Sequence, residues 1–252
     1  FSQRGFLCVL RVSFTAGYVA VMMLYFVAER SYMEVGEALR KQSVRVDGVR
    51  SLGLVTGYVR EEDLSSGSCG QRARSFSHDQ MVFEDTSLMD IVLILTRHDF
   101  CFLSLLDEVV GVVSRADMEK PIVRMWLFGM ITIIEIELAA MIRKKWPRLQ
   151  WRALATPARL QKAEALCAER QRRSQQSDLV DCLQLGDKAR VLFSDDGIVS
   201  LLGFDSRSAA QRSIKSIESL RNNLAHGQSI VEYDWPSIVG LTQGVQRLMA
   251  AI

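Results

Sequence analysis

The sequence predicts an α+β protein in which an N-terminal α/β part is followed by an all-α part. The first observation is that segments of helical spacing and segments of alternating apolar residues follow one another twice between residues 30 and 121. The second is that helical spacing continues from residue 122 to residue 252 with short connections, which favours an up-and-down helical bundle. Because 48% of the 252 residues are apolar, each part can form a hydrophobic core.

An apolar segment precedes these two parts. Residues 12–28 form a run without a charge, slightly shorter than a membrane-spanning helix usually needs to be. Residues 1–29 are therefore open to three interpretations: a membrane segment, a buried core helix or a wrongly assigned leader. We expect no membrane span, because no second span follows and Arg11 interrupts the run on its N-terminal side.

The spacing of the cysteines bears on the redox state of the thiols and on the cellular compartment. Five cysteines are widely spaced and form no CxxC motif: Cys8, Cys69, Cys101, Cys167 and Cys182. This spacing is typical of reduced thiols in a cytoplasmic protein rather than of disulfides or a zinc site. Since no carboxylate cluster suited to a metal appears either, we predict no metal site.

The α/β part contains an internal repeat. Helical spacing at residues 34–41 precedes strand-like segments at 44–50 and 54–59, and the same order returns at 85–97, 100–105 and 109–113. The segment GYVREED (57–63) aligns with GVVSRAD (111–117) when Gly57 is placed over Gly111. Each repeat, about 31–64 and 84–121, would expose an apolar face alone, so the two are expected to pack together.

These segments resemble the cystathionine beta-synthase (CBS) domain pair, whose second strand pair ends in Gly, two hydrophobic residues, Ser or Thr, two further residues and Asp. GVVSRAD matches each of these positions, with Gly111, Ser114 and Asp117. The resemblance implies an adenine nucleotide (AMP, ADP or ATP) as regulatory ligand, with Ser114 at a phosphate and Asp117 at the ribose hydroxyls. The simpler alternative is a helix N-cap, which Ser and Asp also favour.

The first copy departs from this pattern. Arg60 replaces the hydroxyl residue, whereas Asp63 keeps the place of the carboxylate. The resemblance therefore implies either a cleft that binds the nucleotide differently through Arg60 and Asp63, or a cleft that has lost binding.

The second part is predicted to be helical at 126–143, 157–175 and 206–225. Residues 179–202 suggest two short helices separated by Gly186, the second starting at Asp195 and Asp196. Asp234 followed by Trp235 and Pro236 predicts an N-cap and an N1 proline for a last helix that runs to residue 252. Residues 143–173 carry ten lysines and arginines against two glutamates, so this stretch is either a site for a polyanion or a solvated helix face.

The most specific segment of the second part is RNNLAH (221–226). It contains both asparagines of the chain and one of its three histidines, and it closes the helix predicted at 206–225. Imidazole titrates near neutrality and can transfer protons, and a guanidinium can stabilise phosphorane charge. Arg221, Asn222 and His226 are therefore candidate catalytic residues for phosphoryl transfer, with Asn222 orienting either neighbour.

Arg221, Asn222 and His226 form an R-N-x-x-x-H pattern, which is similar to the signature of the higher eukaryotes and prokaryotes nucleotide-binding (HEPN) superfamily of helical bundles. The resemblance covers about residues 123–252. It implies a ribonuclease that requires no cofactor, in which a 2′-hydroxyl attacks the adjacent phosphate and two copies of the motif meet in a homodimer. Two alternatives stay open: the three residues cap a helix end, or the bundle binds nucleic acid or a protein without cutting.

Together these patterns predict a cytoplasmic, homodimeric endoribonuclease whose CBS pair (30–121) senses adenine nucleotide and regulates the HEPN-like bundle (122–252). Its expected partners are RNA and the nucleotide. The alternative is a regulatory adaptor that senses the nucleotide and binds a protein partner or nucleic acid through the bundle, without catalysis.

Overall fold

A computed structural model of the chain describes residues 15–23, 25–42 and 45–251. The chain divides into two compact units, the first ending at Val123 and the second beginning at Arg124. Each unit is described separately below.

The first unit combines short strands and helices. Its strands are β1 (Val21–Met22), β2 (Tyr25–Val27), β3 (Val46–Ser51), β4 (Leu54–Arg60), β5 (Met81–Phe83), β6 (Phe100–Leu105) and β7 (Glu108–Ser114). Its helices are α1 (Ala16–Val19), α2 (Tyr32–Gln42), α3 (Cys69–Arg72) and α4 (Leu88–Arg97). Ser87 begins α4 as an N-cap, because its hydroxyl accepts a hydrogen bond from the backbone of Asp90.

The repeat inferred from the sequence is present residue by residue. In each copy a strand pairs in parallel with the first strand of an antiparallel hairpin, β2 with β3 and β5 with β6. The hairpin registers agree when Gly57 is placed over Gly111, since Val46 faces Arg60 and Phe100 faces Ser114. Both hairpins carry an irregularity at the equivalent place, after Val49 and after Leu103.

The segment that precedes each repeat pairs with the hairpin of the other repeat. β1 lies antiparallel to β7, with Val21 opposite Val112, so the sheet order is β1-β7-β6-β5. In the equivalent position Arg74 pairs with Tyr58 on β4, next to the second sheet, β2-β3-β4. We call residues 20–22 and 73–75 the crossing segments.

The apolar N-terminal run is therefore not one helix. Within the described residues it forms α1 and then β1 and β2, which join both sheets of the first unit. The interpretation of residues 12–28 as a continuous helix, buried or membrane-spanning, is wrong there, and residues 12–14 and 24 lie outside the described residues. The uncharged run does not follow a single buried face, since Met23 and Phe26 are buried whereas Val21, Met22 and Val27 are exposed.

Side chains of both repeats share one core. Met23, Val46 and Tyr58 from the first repeat and its preceding segment pack with Phe100, Phe102, Val109 and Val112 from the second. The rings of Tyr58 and Phe102 lie 4.6 Å apart between centroids, and Phe76 packs against both. Burial of this aromatic cluster stabilises the pair of repeats as a single unit.

The second unit is helical. Its helices are α5 (Pro121–Lys145, whose first three residues belong to the first unit), α6 (Pro157–Arg172), α7 (Leu185–Leu192), α8 (Asp196–Leu201), α9 (Arg207–Ala225) and α10 (Val231–Ala251). Short 3₁₀ helices at Pro147–Leu154 and Leu179–Cys182 lie between them.

Two details of the second unit differ from the sequence predictions. Gly186 does not separate two helices but lies in the first turn of α7, where its N–H donates to Glu218 Oε1 at 3.0 Å. The last helix begins at Val231 rather than at Asp234, so Pro236 lies inside it. Pro236 is the sixth residue of this helix, beyond the first-turn N–H groups that lack an intrahelical partner, so it removes one backbone hydrogen bond of the helix.

Helix α5 is apolar on more than one face. Its buried residues recur every three or four positions, as expected for a core helix: Val123, Leu127, Met130, Ile131, Ile134, Leu138, Ala139 and Ile142. Among the described residues it is the one helix long and apolar enough to cross a membrane, by length and composition alone. One such helix is weak support for a membrane protein, because core helices of soluble proteins have the same composition.

Candidate functional site

The candidate nucleotide residues lie where the second hairpin strand of each repeat ends. Strand β4 leads into the 3₁₀ helix Glu61–Asp63, and β7 leads into the 3₁₀ helix Arg115–Glu119. Arg60 and Ser114 are the last strand residues, and Asp63 and Asp117 lie three positions further on. Since both turns follow the same hairpin geometry, each repeat presents its aspartate at the same place.

In the second repeat Ser114 and Asp117 bind each other. Asp117 Oδ2 accepts hydrogen bonds from the Ser114 backbone N–H at 2.7 Å and from the Ser114 hydroxyl at 2.9 Å. Asp117 Oδ1 forms an ion pair with Lys120 Nζ at 2.9 Å. The side chain of Asp117 is only 11% exposed, so this carboxylate is an integral part of the turn.

These bonds limit what the Asp117 carboxylate can still accept. A carboxylate offers about four lone-pair positions, of which Ser114 uses two and Lys120 one. A ribose diol needs two acceptors, so it would have to displace Lys120 or the Ser114 hydroxyl.

Lys120 connects this turn to the N-terminal segment. Its ammonium group also donates a hydrogen bond to the carbonyl oxygen of Val19, the last residue of α1. Residues 20–22, one of the two crossing segments, follow directly. A ligand that took over the Asp117 carboxylate would therefore change the contact that holds α1.

In the first repeat the equivalent carboxylate is paired with an arginine. Arg74 forms a bidentate ion pair with Asp63, with Nε to Oδ2 at 2.6 Å and Nη2 to Oδ1. The hydrogen bonds from Arg74 lower the pKa of Asp63 below its ordinary value. Arg74 belongs to the other crossing segment, so Asp63 contacts a crossing segment directly. Asp117 instead contacts Lys120, which binds the carbonyl oxygen of Val19 just before the first crossing segment.

Arg60 is occupied as well. Its Nη1 lies 3.1 Å from Asp99 Oδ2 and 3.2 Å from Glu62 Oε1, and its guanidinium carbon lies 5.3 Å from the centre of the Phe100 ring. The side chain is 17% exposed. Arg60 therefore joins the two repeats and does not reproduce the hydroxyl of Ser114.

Gly111 has a structural role that the sequence did not reveal. A Cβ atom at Gly111 would lie 3.1 Å from the carbonyl oxygen of Val21, and one at the equivalent Gly57 would lie 2.4 Å from that of Arg74. Each glycine thus admits the backbone of a crossing segment. The structure gives Gly111 this packing role, and its assignment to a nucleotide stays a prediction.

The three residues of the second candidate site lie at the C-terminal end of α9. Asn222 is in the last turn and Arg221 directly precedes it, and His226 is the C-cap residue, with its backbone N–H bonded to the Asn222 carbonyl. The side chains of Asn222 and His226 are exposed and that of Arg221 is half-buried. Their spacing of four residues puts Asn222 and His226 on one face of the helix.

The neighbouring Asn223 has a different role. Its amide donates to Asp234 Oδ2 at 2.6 Å, and its carbonyl oxygen accepts from Arg124 Nη2 at 3.1 Å. Arg124 also binds the carbonyl oxygens of Leu224 and Gln228. The helix end is therefore held by Arg124, Asn223 and Asp234, so capping of these carbonyls does not require Arg221 or His226.

Much of the basic stretch 143–173 is neutralised by ion pairs. Six of its ten basic residues pair with carboxylates: Arg143 with Asp178 and Asp181, Lys145 with Asp195, Arg152 with Glu164, Arg159 with Asp187, and Arg172 and Arg173 with Glu169. A polyanion would have to compete with these carboxylates. The solvated helix face is the better interpretation of this stretch.

No protein-family model and no curated protein matches the chain. Similar solved structures include CBSX2 in complex with AMP, with 17% identity, 41% of this chain and 92% of that chain covered, and a TM-score of 0.37. The CBS-pair protein CBSX2 from Arabidopsis thaliana has 14% identity, 42% and 92% coverage, and a TM-score of 0.38. A hemolysin-like protein containing a CBS domain, from Oenococcus oeni PSU, has 11% identity, 47% and 96% coverage, and a TM-score of 0.37. The part of this chain that matches such CBS-domain structures is N-terminal.

Proposed function

We propose that the first unit is a regulatory module that binds an adenine nucleotide at the turns after β4 and β7. One observation carries this proposal: the equivalent aspartates, Asp63 and Asp117, are each paired with a basic side chain that contacts the region of a crossing segment. A carboxylate beside a cation suits a ligand with a diol and a phosphate. The carboxylate accepts hydrogen bonds from the diol, and the cation binds the phosphate.

Nucleotide binding would rearrange the pairs of Asp63 with Arg74 and of Asp117 with Lys120, because both carboxylates already have partners. In the second repeat the ribose hydroxyls take acceptor positions on Asp117, and Lys120 turns to the phosphate. Lys120 then releases Val19, which precedes a crossing segment. The response to the nucleotide is therefore a change in how α1 and β1 are held, which gives the module a structural output.

Calorimetric titration of the full chain with AMP, ADP and ATP tests this proposal, with GMP as the control for base selectivity. We expect Asp117→Asn to weaken adenine nucleotide binding about tenfold, because the amide keeps an acceptor for Ser114 but loses half of the carboxylate's acceptors. Asp107→Asn, in the exposed turn between β6 and β7, serves as the matched control. Absence of adenine nucleotide binding at millimolar concentration would contradict the proposal.

We further propose that the second unit is a metal-independent endoribonuclease and that it acts as a homodimer. The supporting observation is that Asn222 and His226 are exposed on one face of α9, while the helix end is capped by other residues. His226 would move the proton at the attacking 2′-hydroxyl or at the leaving 5′-oxygen, and Arg221 would stabilise the phosphorane. The product is a 2′,3′-cyclic phosphate, and the reaction that forms it needs no cofactor.

A single imidazole does not serve both oxygens, so two motif copies related by a two-fold axis would complete the site. Cleavage of single-stranded RNA in the presence of EDTA is the direct test. His226→Ala and Arg221→Ala should each lower the rate about 100-fold or more. Asn223→Ala is unsuitable as a control because it disturbs the cap, whereas Gln211→Ala changes an exposed position of the same helix.

The adaptor remains the competing function. RNA that stays intact under all conditions, together with nucleotide binding, would favour a non-catalytic regulator that binds a protein or nucleic acid through the bundle. Wild-type cleavage rates that change on addition of nucleotide would instead support nucleotide control of the ribonuclease.

A further inference from the structure

Two buried cysteines of the second unit lie side by side. Cys167 is in α6, and Cys182 ends the 3₁₀ helix Leu179–Cys182. Both residues bind Ser177: the Cys167 thiol donates to the Ser177 carbonyl oxygen at 3.5 Å, and Ser177 Oγ lies 3.2 Å from Cys182 Sγ. Burial raises the pKa of Cys167, and the charge of the neighbouring Cys182 raises this pKa further. Both thiols therefore contact the same residue, Ser177.

Polar donors surround the sulfur atoms. Arg170 Nη1 lies 3.9 Å from Cys182 Sγ and 3.4 Å from Ser177 Oγ, and Gln171 Nε2 lies 3.6 Å from Cys167 Sγ. Because a guanidinium and a hydroxyl both stabilise negative charge on sulfur, Cys182 is the better placed of the two to react as a thiolate.

An open pocket is formed by residues that include contacts of both thiols. A cavity of about 620 Å³ is lined by Gln171, Ser174, Gln175, Gln176, Ser177 and Asp178. Two of these residues, Gln171 and Ser177, are the ones that bind the sulfur atoms. A small molecule that entered the pocket would therefore meet two side chains that contact the thiols, and the cysteines themselves are 8% and 6% exposed.

We propose that Cys167 and Cys182 form a redox modification site that a small-molecule disulfide converts into an intramolecular disulfide. The Cys182 thiolate attacks one sulfur of the small disulfide, forms a mixed disulfide and releases one small thiol. The Cys167 thiolate then attacks Cys182 Sγ, forms the Cys167–Cys182 bond and releases the second small thiol. Both protein thiols are oxidised, the small disulfide is reduced, and the two protein hydrogens end on the two small thiols.

The other described cysteines do not share this arrangement. Cys69 donates to backbone carbonyls of Val27 and Ala28, and Cys101 lies fully buried in β6. Burial, with a smaller contribution from the charge of Asp117, raises the pKa of Cys101 to about 12. Cys101 is thus expected to stay a thiol under the same treatment. Cys8 lies outside the described residues, so a Cys8→Ser background removes it from the assay.

The test is to treat the folded, full-length Cys8→Ser protein with oxidised glutathione and map its disulfides by mass spectrometry after proteolysis. We expect the peptides of Cys167 and Cys182 to be joined, with the intact mass lowered by two hydrogen atoms and the rate rising with pH as thiolate forms. Reduction with dithiothreitol should restore the starting mass.

Single variants separate the two steps. Cys167→Ser should stop the reaction at a stable glutathione adduct on Cys182, whereas Cys182→Ser should react more slowly, because Arg170 no longer faces the attacking thiol. The peptide map of the Cys8→Ser protein does not depend on these two variants, so it remains informative if either of them folds poorly. A stable adduct on Cys167 or Cys182 of the Cys8→Ser protein, or no reaction until the protein is denatured, would overturn the proposal. This result is independent of RNA cleavage and of nucleotide binding.

Discussion

The equivalent aspartates Asp63 and Asp117 show how one sequence position acquires two environments. Both follow a strand end by three residues, yet Asp63 binds an arginine from a crossing segment and Asp117 binds the turn itself. The difference arises because Ser114 supplies a hydroxyl donor that Arg60 cannot replace. In the first repeat the Asp63 carboxylate has the Arg74 guanidinium as its side-chain partner instead.

Replacing Asp63 should change stability in a pH-dependent manner. Asp63→Asn is expected to cost about 0.5–1 kcal/mol at neutral pH, a small value because Arg74 is partly solvent-exposed. Since the folded-state pKa of Asp63 is below the ordinary value of about 3.9, the stabilisation is complete above that pH and is lost as pH falls through the folded-state pKa. Thermal unfolding of wild type and Asp63→Asn at several pH values measures this. A stability difference that grew on acidification would contradict the ion pair.

At the scale of elements, the crossing segments are what unites the two repeats. β1 and the segment around Arg74 each lie against a glycine of the opposite hairpin, and the two approaches differ in closeness. At Gly57 a Cβ would lie 2.4 Å from a carbonyl oxygen, which forces the backbone to move. At Gly111 the corresponding 3.1 Å requires only a shift of a few tenths of an ångström.

Alanine substitutions should reproduce this difference. We expect Gly57→Ala to lower the free energy of unfolding by about 3 kcal/mol and Gly111→Ala by about 1 kcal/mol. Gly129→Ala in α5, where nothing lies near the new methyl group, should instead stabilise by about 0.5–1 kcal/mol. Urea unfolding of the three variants gives the comparison. Equal losses at Gly57 and Gly111 would indicate that the crossing segments do not approach as described.

An ion pair between a buried lysine and a partly exposed glutamate connects α5 and α7 in the second unit. Lys188, whose side chain is 3% exposed, binds Glu135 Oε1 at 2.7 Å and the Leu183 carbonyl oxygen at 2.8 Å. Glu135→Leu should lower the free energy of unfolding by about 2–3 kcal/mol, because it leaves a buried ammonium without its counter-charge. Adding Lys188→Met should recover at least about 1 kcal/mol of this loss. Additive losses in the double variant would show that the two side chains act independently.

At the scale of the whole molecule, the chain consists of two units that each have a hydrophobic core. Units of this size usually unfold cooperatively, so two transitions are expected unless one unit depends on the other. The proposed nucleotide would bind the first unit alone. Its stabilising effect is then confined to the transition of that unit.

Differential scanning calorimetry with and without adenine nucleotide tests this arrangement. At a nucleotide concentration about 100 times the dissociation constant, the first unit should gain about 2.7 kcal/mol. The Asp117→Asn variant should gain less at the same concentration. If only the transition of the helical unit shifted, the nucleotide would bind the second unit, and the proposal would be contradicted.

The sequence by itself determined the repeat and the helical part. The alignment of Gly57 with Gly111, the hairpin strands at 100–105 and 109–113, and the helices near 157–175 and 206–225 follow from patterns that each segment carries alone. The α+β class and the pairing of two α/β repeats agree with the structure for that reason. The two predictions at Gly186 and Pro236 were wrong because they relied on local turn and helix-start signals, which tertiary contacts overrode.

Only the tertiary structure decided which distant residues meet. The pairing of Asp63 with Arg74 joins positions 11 residues apart, that of Lys120 with Val19 joins positions 101 apart, and Arg124 caps α9 from about 100 residues away. Such contacts leave no periodic signal, because they depend on how the chain returns on itself rather than on neighbours along the sequence. For the same physical reason the adjacency of Cys167 and Cys182, which the spacing of the cysteines concealed, appears only in the folded chain.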